Sequence, residues 1–259
     1  MVKRTIETSL LEKVTQSYHK FRGIAPNKDD FEWSKYNEEY SRQISKIEKK
    51  NTLILPDGKY SIVEGKIVLE PELLPLHPNH KLLYETIYTL NPNSLLEVGV
   101  GGGDHLSNIQ KLLPHAEFSG CDLLADQIKF LLIRHPELKT KADVFIHDVI
   151  QSHPYMKADL VYTQAVIMHI QKDDNHLYAL RNMFKTSAKY IVLMENWSRH
   201  NFYEDILTIS KESDFPWNQI YIYANDDGKQ IAMIVSNTIL EFYREINSND
   251  EMLKYIENS

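Results

Sequence analysis

Four of the chain's nine glycines fall in one stretch, Leu96-Glu97-Val98-Gly99-Val100-Gly101-Gly102-Gly103-Asp104, directly after the apolar run Ser94 to Val98 and before a helical pattern from His105 to Leu113. A strand that turns sharply into a helix restricts the fold more than any other feature of the sequence. Glycine permits the tight turn, lets another atom approach without meeting a Cβ, and leaves the free N–H groups of a helix N-terminus facing outward. Further apolar strands are expected at Glu117 to Cys121, Ala142 to Ile146, Ala158 to Thr163 and Lys189 to Met194. Helical patterns lie between most of them, clearest at Asp126 to Arg134 and Asn175 to Phe184, and a helix from about Asn79 to Leu90 precedes the first strand. This alternation predicts an α/β domain, a doubly wound and mostly parallel sheet covered on both faces. Gln219 to Tyr223 and Gln230 to Ser236, joined through Asn225-Asp226-Asp227-Gly228, predict a hairpin that closes the sheet with an antiparallel strand.

Residues 1–72 differ in kind from residues 73–259. Ile6, Leu10, Leu11, Val14, Tyr18 and Phe21 recur at helical spacing, and Trp33, Tyr36, Tyr40, Ile44 and Ile47 form a second stripe after the Gly23 to Pro26 break. A small hairpin or meander is expected from Thr52 to Leu55, Lys59 to Val63 and Lys66 to Leu69. The first region reads as a mostly helical extension, either a lid or a subunit contact of a homodimer; its aromatic stripe either packs on the domain or lines a pocket. Asn247 to Ser259 is polar enough to be a loosely held tail.

Composition removes several classes of function. A net charge of −7 opposes the attraction that nucleic-acid binders use. A single cysteine, Cys121, excludes an internal disulfide framework, and no Cys/His spacing suits structural zinc. With no export signal at the start and no apolar run long enough to span a bilayer, a soluble, cytoplasmic protein without nucleic-acid or membrane partners is expected.

In an open α/β sheet the strand C-termini form the binding crevice, so a polar ligand is expected above the glycine turn. Asp122 ends the second strand, where a carboxylate can accept both hydroxyls of a ribose; Asp148 follows the third, where it can meet an exocyclic amine. A plain strand-end turn residue is the other reading of each aspartate, and the place of Asp122 after the second strand favours the ligand. Glu97-Val98-Gly99-Val100-Gly101-Gly102-Gly103 resembles the first motif of the class I S-adenosylmethionine-dependent methyltransferases, of acidic-x-Gly-x-Gly-x-Gly form, and the resemblance extends from about Leu73 to Ser236. A dinucleotide enzyme would require glycine where Asp104 stands.

The resemblance implies a Rossmann-like sheet of seven strands with the last antiparallel, and S-adenosylmethionine as methyl donor, leaving as S-adenosylhomocysteine. It implies that Gly99, Gly101 and Gly103 approach the methionine and sugar parts, that Glu97 positions the amino group, that Asp122 takes the ribose and Asp148 the adenine, and that Leu123, Val149 and Gln164 are further cofactor contacts. The segment from Ala158 to Ile170 is also similar to small-molecule methyltransferases of surface-sugar pathways. Thr163-Gln164-Ala165-Val166 departs from the Asn/Asp-Pro-Pro-aromatic motif common among nucleic-acid and protein amino-methyltransferases.

The acceptor is therefore expected to be a small molecule methylated on a hydroxyl, such as a sugar or nucleotide-activated metabolite. A small-amine N-methyltransferase and a catalytically idle S-adenosylmethionine-binding protein remain the alternatives. Tyr84, Glu195, Asn196 and His200 are candidate acceptor contacts, Tyr84 being equally placed for the surface. His169 is the candidate general base, since an imidazole can take a hydroxyl proton near neutral pH; packing as a hydrogen-bonded histidine is its other reading. Asp173-Asp174 with His169 or His176 forms one local loop without ligand spacing, so no metal is expected.

Overall fold

A computed structural model describes residues 42–151, 157–212, 217, 219–224 and 230–257. The two amphipathic stripes of the N-terminal region therefore lie outside the described residues, apart from a helical segment at 42–47 that buries Ile44. A hairpin of β1 (Tyr60–Val63) and β2 (Lys66–Leu69) follows, paired antiparallel from Tyr60↔Leu69 to Val63↔Lys66. The expected strand from Thr52 to Leu55 does not form. Thr52 makes only an isolated bridge to Leu76, and the backbone of Leu53 and Leu55 is satisfied by the Asn108 amide instead of by a neighbouring strand.

Helix α1 (Pro78–Leu90) starts with proline at its first position, where the missing N–H costs nothing, and ends at Asn91 in the left-handed region. The chain then alternates through β3 (Ser94–Val98), α2 (Asp104–Leu112), β4 (Glu117–Asp122), α3 (Ala125–Arg134), the single turn α4 (Leu138–Lys141), β5 (Asp143–Ile146) and β6 (Ala158–Gln164). A 3-10 turn at Ile167–His169 leads to α5 (Asn175–Thr186), β7 (Ser187–Met194) and α6 (Phe202–Ser210), whose N-cap Asn201 accepts from the Glu204 N–H. The hairpin strands β8 (Gln219–Ala224) and β9 (Ile231–Ser236), the short β10 (Arg244–Glu245) and α7 (Asn249–Glu257) complete the order.

The strands form one sheet in the order β10-β8-β9-β7-β6-β3-β4-β5, parallel from β7 to β5 and antiparallel where β9 sits between β7 and β8. The sheet thus has eight strands where seven are expected, the extra one being the two-residue edge strand β10 on β8. Side chains alternate between two apolar layers. Leu95, Leu160, Tyr162, Val192 and Ile234 face α1, α2 and α3, while Leu96, Val161, Ile191, Leu193 and Val235 face α5 and α6. Central strands buried on both faces explain why their sequences are continuous apolar runs without polar alternation.

The C-terminal segment corrects a second expectation. Instead of a loose tail it folds as α7, burying Met252 completely beside the buried Ile246, with Leu253 packed against the same cluster, so a few apolar residues in a polar stretch hold it on the second layer. Among the described residues no helix is long and apolar enough to cross a membrane, and no group of three His, Cys, Asp or Glu is arranged to hold a metal.

Candidate functional site

The turn after β3 is tied to β4 by its own backbone, with the Gly99 and Val100 N–H groups both donating to the Cys121 carbonyl at 2.8 and 3.1 Å. Burial pushes the Cys121 thiol up to about 12, so it stays protonated beneath the turn. Gly99, Gly101 and Gly103 all have positive φ, but their surroundings differ. A Cβ at Gly99 would stand 2.3 Å from Val166 Cγ2, and one at Gly103 would stand 2.6 Å from Leu131 Cγ. Those two glycines are required by the protein's own packing. A Cβ at Gly101 would meet nothing closer than Gln127 Nε2 at 3.9 Å, so this is the position where the turn faces open space.

Asp122 closes that space from β4. Its Oδ2 accepts from the Gly101 N–H at 3.1 Å and its Oδ1 from the Leu124 N–H at 3.2 Å, with the Leu123 N–H also drawing on the carboxylate, which still leaves accepting capacity for a ligand hydroxyl. Burial raises its pKa above the ordinary carboxylate value against the pull of those N–H groups. Leu123, the next residue, projects with about half its surface exposed. Glu97 at the end of β3 is buried, accepts from the Tyr162 hydroxyl at 3.0 Å, and is held well above the usual range by burial, with Asp122 and Asp104 adding to the shift.

Gln127 was not foreseen from the sequence. It lies in the first turn of α3, is 2% exposed, and among the described residues its Oε1 has no hydrogen-bond partner. A buried amide oxygen without a partner costs about 1 to 3 kcal/mol, a cost removed by a ligand that donates to it. The open backbone at Gly101, the spare capacity of Asp122 and this amide together fit a polar, hydroxyl-bearing ligand at the C-terminal edge of the sheet.

Beyond β5, Asp148 closes its own turn, with Oδ1 accepting from the Ile150 N–H at 3.2 Å, and the Val149 carbonyl accepts from Asn182 Nδ2 at 2.7 Å. Gln164, the last residue of β6, hydrogen-bonds His105 in the first turn of α2. Among the described residues no hydrogen bond joins Asp148 or Asn196 to the glycine turn; Asn196 instead accepts from the Ser198 N–H and hydroxyl.

On the far side of β6 the backbone is bent, with Ala165 at φ 55 before the 3-10 turn that ends at His169. Glu195, just past β7, holds this turn. Its carboxylate accepts from the N–H groups of Val166, Ile167 and Met168 at 3.2, 3.3 and 3.1 Å, in the manner of an anion at a helix N-terminus. Burial raises it to about 7 despite those bonds. His200 stacks on His176 with ring centres 4.0 Å apart, approaches the Ile167 carbonyl through Nε2 at 3.2 Å, and is held down to about 4 by desolvation and by His176.

Tyr84 is fully buried. Its hydroxyl lies 3.1 Å from His105 Nδ1, 3.4 Å from His80 Nδ1 and 2.8 Å from Asn108 Nδ2. His105, like Gln127, carries no motif in the sequence; its place immediately after Asp104 at a helix N-terminus is the signal that marks it.

No protein-family model matches the chain, and no curated protein matches it. Solved structures do. The methyltransferase domain of bacterial CtHen1 superposes with a TM-score of 0.50 at 15% identity, covering 61% of this chain and 98% of that one. A Nostoc punctiforme protein to which O-methyltransferase activity is attributed gives 0.50 at 12% identity, covering 61% of this chain and 55% of that one. The plantazolicin methyltransferase BpumL, in complex with a desmethyl analogue and S-adenosylhomocysteine, gives 0.48 at 17% identity over 61% of this chain and 85% of that one. With its glycine turn, its strand order and its inserted antiparallel strand, this chain has the fold of the class I methyltransferases.

Proposed function

We propose that the chain is an S-adenosylmethionine-dependent methyltransferase acting on a small-molecule hydroxyl, of a sugar or nucleotide-activated metabolite. One observation carries this: a class I methyltransferase fold whose glycine turn faces open space at Gly101, between the spare oxygens of Asp122 and the unpartnered buried amide oxygen of Gln127. Asp122 and Gln127 would hold the sugar and its neighbouring polar groups, Glu97 would orient the amino group, and Gly99 to Gly103 would present backbone to the methionine part. Leu123, Asp148 and Val149 would complete the nucleoside side, and Gln164 would lie beside the methyl donor. When bound, S-adenosylmethionine supplies an already activated methyl group, so the protein's remaining tasks are to align the acceptor at roughly 3 to 3.5 Å and to take its proton.

A hydroxyl acceptor is supported by the absence of an Asn/Asp-Pro-Pro-aromatic segment after β6 and by imidazoles at this edge, His169 among them, that can receive a hydroxyl proton. The single buried cysteine suits a cytoplasmic location. Glu195, Asn196 and His200 enter this reading through the loops they hold beside the acceptor, and a lid or dimer contact is the role we assign to the N-terminal region.

Calorimetry with S-adenosylmethionine and S-adenosylhomocysteine tests the reading. Both should bind, and Asp122→Ala should weaken binding by about ten- to a hundredfold, the loss of a charge-assisted contact of about 1.5 to 3 kcal/mol. Absence of binding to the wild type refutes the proposal, and an unchanged affinity in the variant removes Asp122 from the site.

A further inference from the structure

The turn that Glu195 holds reaches across to the glycine turn through one side chain. Val166 donates its N–H to Glu195 Oε1 at 3.2 Å, and its Cγ2 fills the space that a Cβ at Gly99 would need, 2.3 Å from where that atom would stand. One residue therefore belongs to both halves of the sheet's edge, by its backbone to the clamp after β7 and by its methyl groups to the turn after β3. Two residues earlier on the chain, Gln164 makes a second link by hydrogen-bonding His105 at the start of α2.

This turn has a conformation that its own sequence does not favour. Ala165 sits at φ 55, where a Cβ crowds the following carbonyl, and strain of that kind persists only where the surroundings over-determine it. Here they do. The Ala165 N–H donates to the Met194 carbonyl at 3.0 Å, and the next three N–H groups all go to Glu195, those of Val166 and Ile167 to Oε1 and that of Met168 to Oε2. The Ile167 carbonyl accepts from the Ile170 N–H at 3.0 Å and lies 3.2 Å from His200 Nε2, while the Ile167 and Met168 side chains are buried. Among these supports His200 is held down to about 4 and stays neutral, whereas burial raises Glu195 to about 7 against the pull of the Met168, Val166 and Ile167 N–H groups and the Thr163 hydroxyl.

We propose that Glu195 is a positioning residue for the methyl donor: its carboxylate fixes the turn, the turn seats Val166 on Gly99, and the glycine turn is thereby held in the shape that receives the donor. This rests on the methyltransferase reading. Ionised, the carboxylate serves all three N–H groups with charge-assisted bonds; when a proton from solvent occupies one oxygen, that oxygen becomes a donor and the bonds into it weaken. Burial makes the ionised form costly, but the grip on the turn is stronger in it. Donor affinity should therefore rise with pH through the midpoint of Glu195, and by linkage the bound donor should lower that midpoint by the same factor. The other titratable groups on the elements packed here are His169 on the turn, Arg199 and His200 on the loop after β7, His176 on α5 and Asp205 on α6, with Glu97, Asp104 and Asp122 around the glycine turn. All of them are retained in Glu195→Gln, so the comparison with that variant removes their contributions.

The test uses the full chain, ¹⁵N-labelled, with S-adenosylhomocysteine as the probe. Without ligand, the amides of Val166, Ile167 and Met168 should shift together with one midpoint near pH 7, the Gly99 amide should follow with the same midpoint, and none should do so in Glu195→Gln. Val166→Ala keeps the carboxylate and its N–H partners but withdraws the methyl groups from Gly99, so residues 166 to 168 should still titrate while Gly99 no longer responds. By calorimetry between pH 5 and 8.5, the ratio of wild-type to Glu195→Gln affinity should grow about tenfold, and saturating ligand should lower the wild-type midpoint by about one pH unit. In Val166→Ala that growth should be lost; if Glu195→Gln fails to fold, Val166→Ala serves as the reference in its place. Turn amides that do not titrate together, a Gly99 amide that does not follow them, or an affinity ratio independent of pH overturns the proposal. Absence of binding at every pH overturns the methyltransferase reading itself, and the ligand-free spectra tell that failure apart from failure of the clamp.

Discussion

The two sides of the sheet's C-terminal edge use their polar groups in opposite ways. Between β3 and β4, Gly101 faces open space, Asp122 keeps accepting capacity after meeting the Gly101, Leu124 and Leu123 N–H groups, and the Gln127 amide oxygen has no partner among the described residues. Between β6 and β7, Glu195 is consumed by three backbone N–H groups, His200 turns to the Ile167 carbonyl, and Asn196 closes its own turn. The first side leaves polar capacity open, as the proposed cofactor site requires; on the second, residues that look reactive in the sequence hold backbone.

The largest effect that would break this comparison lies within the glycine turn. Gly99→Ala combines a positive φ of 76° with a Cβ placed 2.3 Å from Val166, and should lose about 2 to 4 kcal/mol of stability. Gly101→Ala carries backbone strain alone, about 1 to 2 kcal/mol. Its Cβ enters the open space, so it should instead lose most of its affinity for S-adenosylhomocysteine. Denaturation and calorimetry on both variants separate the two; equal loss of affinity with equal stability would show that the turn is uniform and that Gly101 has no special exposure.

The next effect sharpens the other side. Glu195 is raised to about 7 in the folded protein, above the ordinary value of roughly 4.3 in the unfolded chain. Between those values the folded state binds the extra proton, so this group's contribution is full below about pH 4 and is lost as pH rises through 7, on the order of 4 kcal/mol. His105 and His200, both held down to about 4, slope the other way, losing stability as pH falls below about 6.5. Urea titrations of wild type and Glu195→Gln at pH 5 and 7.5 cancel the histidine contributions in the difference. The wild type's advantage over the variant should shrink as pH rises. A difference independent of pH would mean that Glu195 does not titrate in this range.

The strands were legible because parallel strands buried on both faces are continuous apolar runs, as Ser94–Val98 and Ala158–Gln164 are, and the helices between them carry their own period. The glycine turn and Asp122 were legible for a related reason: the backbone geometry they serve is local. Thr52 to Leu55 reads as a strand because it is apolar, yet its partner is the side chain of Asn108, more than fifty residues away and invisible to any local period. The C-terminal helix was hidden by its polar surface, since Met252 and Leu253 with Ile246 do the docking. Glu195, Tyr84 and His200 could be placed at the right edge by chain order, but which groups their polar atoms meet depends on packing that no spacing rule contains.

The smallest effect concerns Gln127, which decides whether the β3–β4 side is truly open to a ligand. Gln127→Met keeps the volume and removes an amide whose oxygen has no partner among the described residues. If that oxygen waits for a ligand, the unliganded variant loses nothing and gains up to about 1 kcal/mol, because a buried acceptor without a donor is destabilising. Affinity for S-adenosylhomocysteine should fall by about 3- to 10-fold, the loss of a single neutral hydrogen bond of about 0.5 to 1.5 kcal/mol. The two signs together are diagnostic: a structural amide would lower the melting temperature on removal, and a bystander would move neither quantity. A variant that is less stable but binds as tightly as wild type would place Gln127 with Glu195, among the polar groups that hold backbone, and would leave Asp122 and Gly101 as the open side's contribution.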